Sequence, residues 1–501
     1  MADSKQFTRI PSLKTVPEFR SHVAALSLDL PCEDEIETGP DSPLAQPVEH
    51  VLINGKRIGN RCAIQPMEGW DGTTTGGVTD DVRRRWRRFG ESGAKLICGG
   101  EAMAVRADGR ANPNQLVVVE QTKKDLAELR DLLARTHRER FETSDDLVIG
   151  FQLTHSGRFC KPNDKFRMEP RVAYRHPILD QRFNVTSDAQ VFTDAEIEEL
   201  IEDYVRAAGI ARDVGADFVD IKHCHGYLLH EFLGARTRPG RFGGSFENRT
   251  RILREIVSGI RASGNRIEIG VRLSAFDFVP FKPDPTLSQP ARPGPGVPED
   301  CSHCLPYHYG FGVNPIRPVE HDLSEPIQFA DLCVQLGVKV LNLSAGSPYY
   351  TPHILRPAAY PPSDGYLPPE DPLVGVARQI NVARKFAEHL RGAGGTRNGL
   401  VIVGSAYSYL QEYLPHVAQH VVRNGWTDMV GLGRMILSYP NAVADTIRTG
   451  KLEKKQICRT FSDCTTAPRN GLVSGCYPLD KYYADRPESQ RLKEIKKAAK
   501  S

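Results

Sequence analysis

A chain of 501 residues with 65 Lys plus Arg against 62 Asp plus Glu carries a formal net charge of only +3, which argues against a nucleic-acid binder. No apolar run approaches the roughly 20 residues of a membrane helix, and the N-terminal MADSKQFTRIPSLK lacks the apolar centre of a secretion signal. The expectation is a cytoplasmic protein that acts on a small molecule, with neither nucleic acid nor membrane as partner. Its oligomeric state, a homo-oligomer included, stays open. The 11 cysteines are odd in number and several lie inside apolar strands, Cys62 and Cys98 among them, so reduced thiols are expected.

Residues 1–48 are polar and dotted with proline, and the reading is an extended arm with little regular structure. Next, VLINGKRI places Asn54 and Gly55 between apolar residues, a strong two-residue hairpin signal, and a hairpin here can plug the bottom of a barrel. Eight short apolar strands follow, at 61–65, 95–98, 147–153, 218–221, 267–273, 338–343, 400–403 and 428–432, with segments of helical period between them. The clearest helix starts at Asp194, where Thr193 and Glu196 match a capping box. Alternating strands and helices imply parallel pairing, and eight such units close into a single (β/α)8 barrel, placed at 49–450. An open doubly wound sheet is the alternative, but no G-x-G-x-x-G follows the first strand.

After the fifth strand, 276–325 is a proline-rich insertion, read as a lid over the active face. It carries Cys301, Cys304 and His308, half of a zinc site without an obvious second half, so no metal is expected. Residues 451–501 are a cysteine-bearing extension ending in a basic helix read as solvated. Asp71, Gly72, Asp108 and Gly109 read as ordinary turns.

The chemistry gathers at the C-terminal strand ends, where barrels keep their active sites. Strand seven ends in Gly404 and Ser405, and strand eight in Gly433 and Arg434. Glycines let backbone N–H groups approach a phosphate, and Arg434 adds a forked cation. The other strand ends supply Pro66, Met67 and Glu68, then Gly100, Gln152 and Arg272. Together these suit a flat heterocycle with a phosphate tail, although each alone also reads as turn or packing. The fourth strand runs into Lys222, His223, Cys224, His225 and, after a glycine, Tyr227. Ionisable groups at a buried strand end are costly unless paired or functional.

HGYLLHEFL followed by GGSFENR, with CAIQPM, GFQLTHSGR, GVRLS and VGLGR in order, resembles the Old Yellow Enzyme family of FMN-dependent ene-reductases and its larger 2,4-dienoyl-CoA reductase and trimethylamine dehydrogenase relatives. The resemblance implies an FMN flavoprotein that uses NAD(P)H to reduce an activated C=C bond. It implies that backbone at Pro66, Met67, Glu68 and Gly100 lines the flavin ring, that Gln152 bonds the pyrimidine edge, and that Arg272 neutralises charge at N1/C2. Gly404, Ser405, Gly433 and Arg434 would take the phosphate, Lys222 and His225 the substrate's electron-withdrawing group, and Tyr227 the role of proton donor.

Two departures stand out. Lys222 replaces the family's usual histidine, and a lysine cannot reproduce a neutral imidazole's geometry. Cys458, Cys464 and Cys476, with Phe461 where a fourth ligand belongs, fall short of the four thiolates of a 4Fe–4S cluster, so none is expected; nor is a counterpart of the relatives' FAD and NAD domains. His223 and Cys224 read as packing residues. The rival readings are an amine-oxidising or demethylating flavoenzyme on the same scaffold and a Schiff-base lyase acting through Lys222.

Overall fold

The computed structural model describes residues 7–289, 293–391 and 399–498. Its frame is eight parallel strands: β1 (Cys62–Ile64), β2 (Leu96–Ile97), β3 (Val148–Thr154), β4 (Phe218–His223), β5 (Glu268–Ser274), β6 (Val340–Ser344), β7 (Val401–Gly404) and β8 (Met429–Leu432). Each is an apolar run buried almost throughout, as expected of strands covered on both faces. Neighbours pair in chain order, β8 pairs with β1 (Val430 with Cys62), and β2 pairs with β3 (Leu96 with Val148), so the sheet closes into a (β/α)8 barrel. The open doubly wound alternative is thereby excluded.

The Asn54–Gly55 turn joins strands Val48–Ile53 and Lys56–Ile58, both turn residues having positive φ as a type I′ hairpin requires. Val48, Val51, Ile53 and Ile58 pack against Ala63, Leu96, Val148 and Phe218 and plug the barrel floor. Asn54 and Lys56 are tied to Asp217, just before β4, at 3.0 and 2.9 Å. The Phe218 ring fills the interior where β3 and β5 carry Gly150 and Gly270. A Cβ on Gly150 would stand 2.3 Å from that ring.

The helix Asp194–Asp213 begins at the expected capping box, with Thr193 Oγ1 accepting from the Glu196 N–H at 3.2 Å. The N-terminal segment differs from expectation. Val16–Ala25 is a helix capped by Thr15, and Ile10, Phe19, Val23, Leu30 and Leu44 are buried against the barrel. Phe19 stacks on Tyr413 at 4.2 Å, so apolar burial orders a stretch whose composition looked like a free arm. The basic terminal helix Pro487–Ala498 is likewise docked rather than solvated all round, with Leu492 buried against Ala467, Tyr477 and Tyr483.

Within 276–325, Phe281–Pro283 pairs with Gly296–Pro298, and Phe276, Phe278, Tyr307 and Phe311 are buried. Cys301 and Cys304 are half-buried free thiols. No helix among the described residues is long and apolar enough to cross a membrane.

Candidate active site

The C-terminal strand ends surround a cavity of about 210 Å³. Pro66, Met67, Glu68, Gln152, Lys222, His225, Tyr227, Arg272, Ser405, Gly433 and Arg434 all reach its wall. Gly100 and Gly404 stand behind it: the Gly100 carbonyl accepts from Met67 N–H at 3.0 Å, and the Gly404 carbonyl from Gln65 Nε2 at 3.4 Å. Both glycines therefore act on the rim through neighbouring residues.

Glu68 is the centre of one end of the cavity. One carboxylate oxygen is ion-paired with Lys222 Nζ, and the other accepts the Tyr227 hydroxyl, whose oxygen lies 3.0 Å from that of Tyr349. Lys222 Nζ also sits 3.6 Å from the centre of the Tyr227 ring. The sequence assigned Glu68 through its backbone, whereas its side chain links the two residues read as clamp and acid. Burial, and then the Glu68 carboxylate, raise the Tyr227 hydroxyl well above the ordinary tyrosine range, so it keeps its proton at neutral pH.

His225 adopts φ +68°, held by its own N–H to Ser274 Oγ at 3.0 Å and by Nε2 to Ser344 Oγ at 2.9 Å. Burial, and then the cations Arg272 and Lys222, push it well below the usual histidine range, so the imidazole is neutral. His223 is enclosed, with Nδ1 3.1 Å from the Ile221 carbonyl, and burial lowers it to about 4; Cys224 is buried beside it.

At the middle of the cavity Gln152 donates Nε2 to Asp220 at 2.8 Å, which fixes the amide. Burial raises the Asp220 carboxyl to about 6. Arg272 donates Nη1 to the Pro66 carbonyl at 3.2 Å, and its Nε is buried without a partner.

The far end is cationic. Arg434 donates to Thr465 Oγ1 at 2.7 Å; burial, and then repulsion from Arg356 and Arg469, lower it to about 9. Three guanidiniums share this corner, and two of them were invisible as site residues in the sequence. Arg356 is on the loop after β6, and Arg469 ends the helix Asp463–Arg469 of the C-terminal extension. That extension also puts Cys458, Cys464 and Ser474 on the wall. It is pinned by Asp71, which accepts from Ser474 N–H at 2.9 Å and is ion-paired with Arg85. Arg85 in turn holds Glu101 at 2.6 Å. Asp71 is thus a buried strut rather than an ordinary turn residue. Asp108, by contrast, stays in a surface turn, paired with Arg106 at 2.6 Å.

Cys458, Cys464 and Cys476 are free thiols, and among the described residues no three His, Cys, Asp or Glu side chains are grouped to hold a metal ion. With Phe461 packed 5.5 Å from Tyr360, the extension does not offer the four thiolates of a 4Fe–4S cluster.

The donor set fits a phosphorylated flavin. An unpartnered buried Arg272 Nε and a cationic arginine corner both favour an anion, and they lie on one cavity.

Comparison with known proteins agrees. The pattern of the NADH:flavin oxidoreductase / NADH oxidase family matches residues 46–287. NADPH dehydrogenase of Geobacillus sp. strain WCH70 is 27% identical over 398 residues, covering 77% of this chain and 89% of that protein. Among solved structures, an Old Yellow Enzyme homologue from Zymomonas mobilis superposes with a TM-score of 0.53 at 18% identity, covering 82% of this chain and 94% of its own. A 2-naphthoyl-CoA reductase gives 0.59 at 18% identity over 88% of this chain, which spans only 57% of that protein's length. At such identity the two structures speak for the barrel alone. Residues 46–287, just under half of the chain, thus match the NADH:flavin oxidoreductase / NADH oxidase family, and the chain is an NAD(P)H:flavin oxidoreductase.

Proposed function

We propose that the cavity holds FMN and that the enzyme uses NAD(P)H to reduce an activated C=C bond of an enone or enoate type. The observation that carries this reading is the pairing of a proton-bearing Tyr227 at one end of the cavity with Arg434 and Arg356, whose side chains meet only the hydroxyls of Thr465 and Ser462, at the other. FMN, when bound, supplies the hydride acceptor and donor between nicotinamide and alkene.

The chain's own residues bind, orient and move the proton. Arg434, with Ser405 and Gly433 beside it, would hold the phosphate, and Arg272, with its Nε free, would hold the electron-rich edge of the ring system. Gln152, its nitrogen committed to Asp220, leaves its carbonyl oxygen to accept from a ring N–H. Neutral His225 can donate a hydrogen bond from Nε2 to a substrate carbonyl oxygen by giving up Ser344. That donor strengthens as enolate charge develops on the oxygen, which is where transition-state stabilisation counts. Tyr227 then gives its proton to the α-carbon, and Tyr349, 3.0 Å away, can hand on a replacement.

Lys222 enters differently from the histidine it replaces. Its charge is already neutralised by Glu68, so its main effect is to hold the carboxylate that aligns Tyr227. The same pair weighs against both rivals. An ion-paired ammonium is a poor Schiff-base nucleophile, and a carboxylate already neutralised by Lys222 offers little net charge to a cationic amine. Steady-state turnover tests the choice: enone-dependent oxidation of NADPH supports it, whereas reduction of an added electron acceptor by methylated amines, with no enone-dependent NADPH oxidation, refutes it.

A further inference from the structure

A second chamber of about 300 Å³ adjoins the active-site cavity and shares Trp70, Tyr349, Pro468 and Arg469 with it. Tyr349 is the partition. Its hydroxyl lies 3.0 Å from that of Tyr227, while its ring stacks on Phe159 at 3.8 Å. Phe183 adds a further aromatic wall, edge-on to Phe159 at 4.9 Å. The chamber is therefore flat-walled and opens next to the proton donor.

Its charge is one-sided. Lys161, Lys165, Arg182 and Arg469 line it against a single acid, Asp364, and that acid is already spent on Arg469 at 2.5 Å. Lys161 has no ion-pair or hydrogen-bond partner for its ammonium among the described residues. Lys165 reaches only the Gly471 carbonyl at 3.1 Å, and Arg182 only the Phe281 carbonyl at 3.0 Å and the face of Phe183. The acids at longer range are committed elsewhere: Asp164 to the N–H groups of Phe166 and Arg167, Glu299 to Lys282 at 2.7 Å. Arg182 is exposed, while burial together with repulsion from Arg469 lowers the half-buried Lys161 ammonium. Cations gathered around one chamber, without acids to match, give it a positive field that favours an anion.

We propose that this chamber is the subsite for a carboxylate carried by the unsaturated substrate, so that the enzyme acts on alkenes bearing an acid group and an apolar or aromatic body. The assignment rests on the alkene-reducing reading and adds the substrate class.

The test compares 4-oxo-4-phenylbut-2-enoic acid with its methyl ester on the holoenzyme and on its Lys161→Gln and Arg182→Gln variants. Each variant should raise KM for the acid about tenfold, the loss expected of one charge-assisted contact, while leaving the ester within about twofold. Higher ionic strength should raise KM for the acid only. Equal responses of acid and ester, or no response of either, overturn the proposal. So does an effect confined to NADPH in the reductive half-reaction, because that would give the cations to the nicotinamide cofactor's phosphates. Calorimetric binding of the saturated acid and ester separates this proposal from the reaction. If neither alkene is turned over but wild type still prefers the saturated acid and the variants lose that preference, the reduction reading fails and the subsite stands. Equal binding of acid and ester refutes the subsite whatever the reaction.

Discussion

Lys222 Nζ is ion-paired with Glu68 across the barrel mouth, from the end of β4 to the loop after β1, and the second oxygen of the same carboxylate accepts the Tyr227 hydroxyl. One carboxylate therefore fixes both a buried cation and the proton donor. The three side chains form a unit whose members cannot be changed independently.

Replacing Glu68 with Gln should cost about 3 kcal/mol of stability, because it leaves the buried Lys222 charge uncompensated. Adding Lys222→Met should restore much of that loss, and a denaturant double-mutant cycle measures the coupling. Because the Glu68 charge helps to hold the Tyr227 hydroxyl above its ordinary range, the Gln variant should also move the alkaline limb of the pH–rate profile to lower pH. An unmoved limb would detach Glu68 from the proton donor.

Tyr227→Phe should slow reoxidation by an enone by roughly 10²–10⁴-fold, the usual share of a positioned general acid. Reduction by NADPH should stay within about twofold, since no proton from Tyr227 enters that half-reaction. Stopped-flow traces of the two halves check this, and a loss shared equally between them would contradict the assignment.

Arg434→Met should weaken FMN binding by about 10–100-fold, the worth of one charge-assisted contact to phosphate. Riboflavin, which has no phosphate, should bind the variant and the wild type alike. Fluorescence titration of the flavin-free protein reads both.

Asp220 gives a pH dependence of stability with a definite sign. Burial raises its folded carboxyl from 3.8 to about 6, so the folded state holds the proton more tightly than the unfolded chain. Stability from this group is complete below the unfolded value and falls as pH rises through about 6. Asp220→Asn, which can still accept from Gln152, should gain about 3 kcal/mol over wild type at neutral pH and nothing near pH 4. Urea unfolding at the two pH values gives the difference.

The barrel was readable because its signals are local. All eight strands are buried runs, the Asn54–Gly55 hairpin and the Thr193 cap are short-range chemistry, and each falls where the spacing put it. The N-terminal helix was readable too, from Thr15, Pro17 and Glu18, but its polar surroundings masked the capping pattern. Glu68 was found as backbone only, since nothing near it in sequence shows that its carboxylate meets Lys222 from a strand more than 150 residues on. Arg356, Arg469 and the Asp71–Ser474 contact depend on the C-terminal extension folding back over the barrel mouth. No periodicity or motif encodes that path. Ser344, at the end of β6, and Tyr349, just past the glycine-bearing turn that follows it, are further wall residues that strand-end reasoning could have caught.

The absorption spectrum of the purified protein, followed anaerobically through addition of NADPH and then of an enone, tests the reading most directly. The expected course is a yellow protein whose visible band bleaches with the nicotinamide and returns with the alkene. A colourless preparation that takes up no FMN, or a yellow one that a methylated amine bleaches but that no enone reoxidises after bleaching, would contradict it.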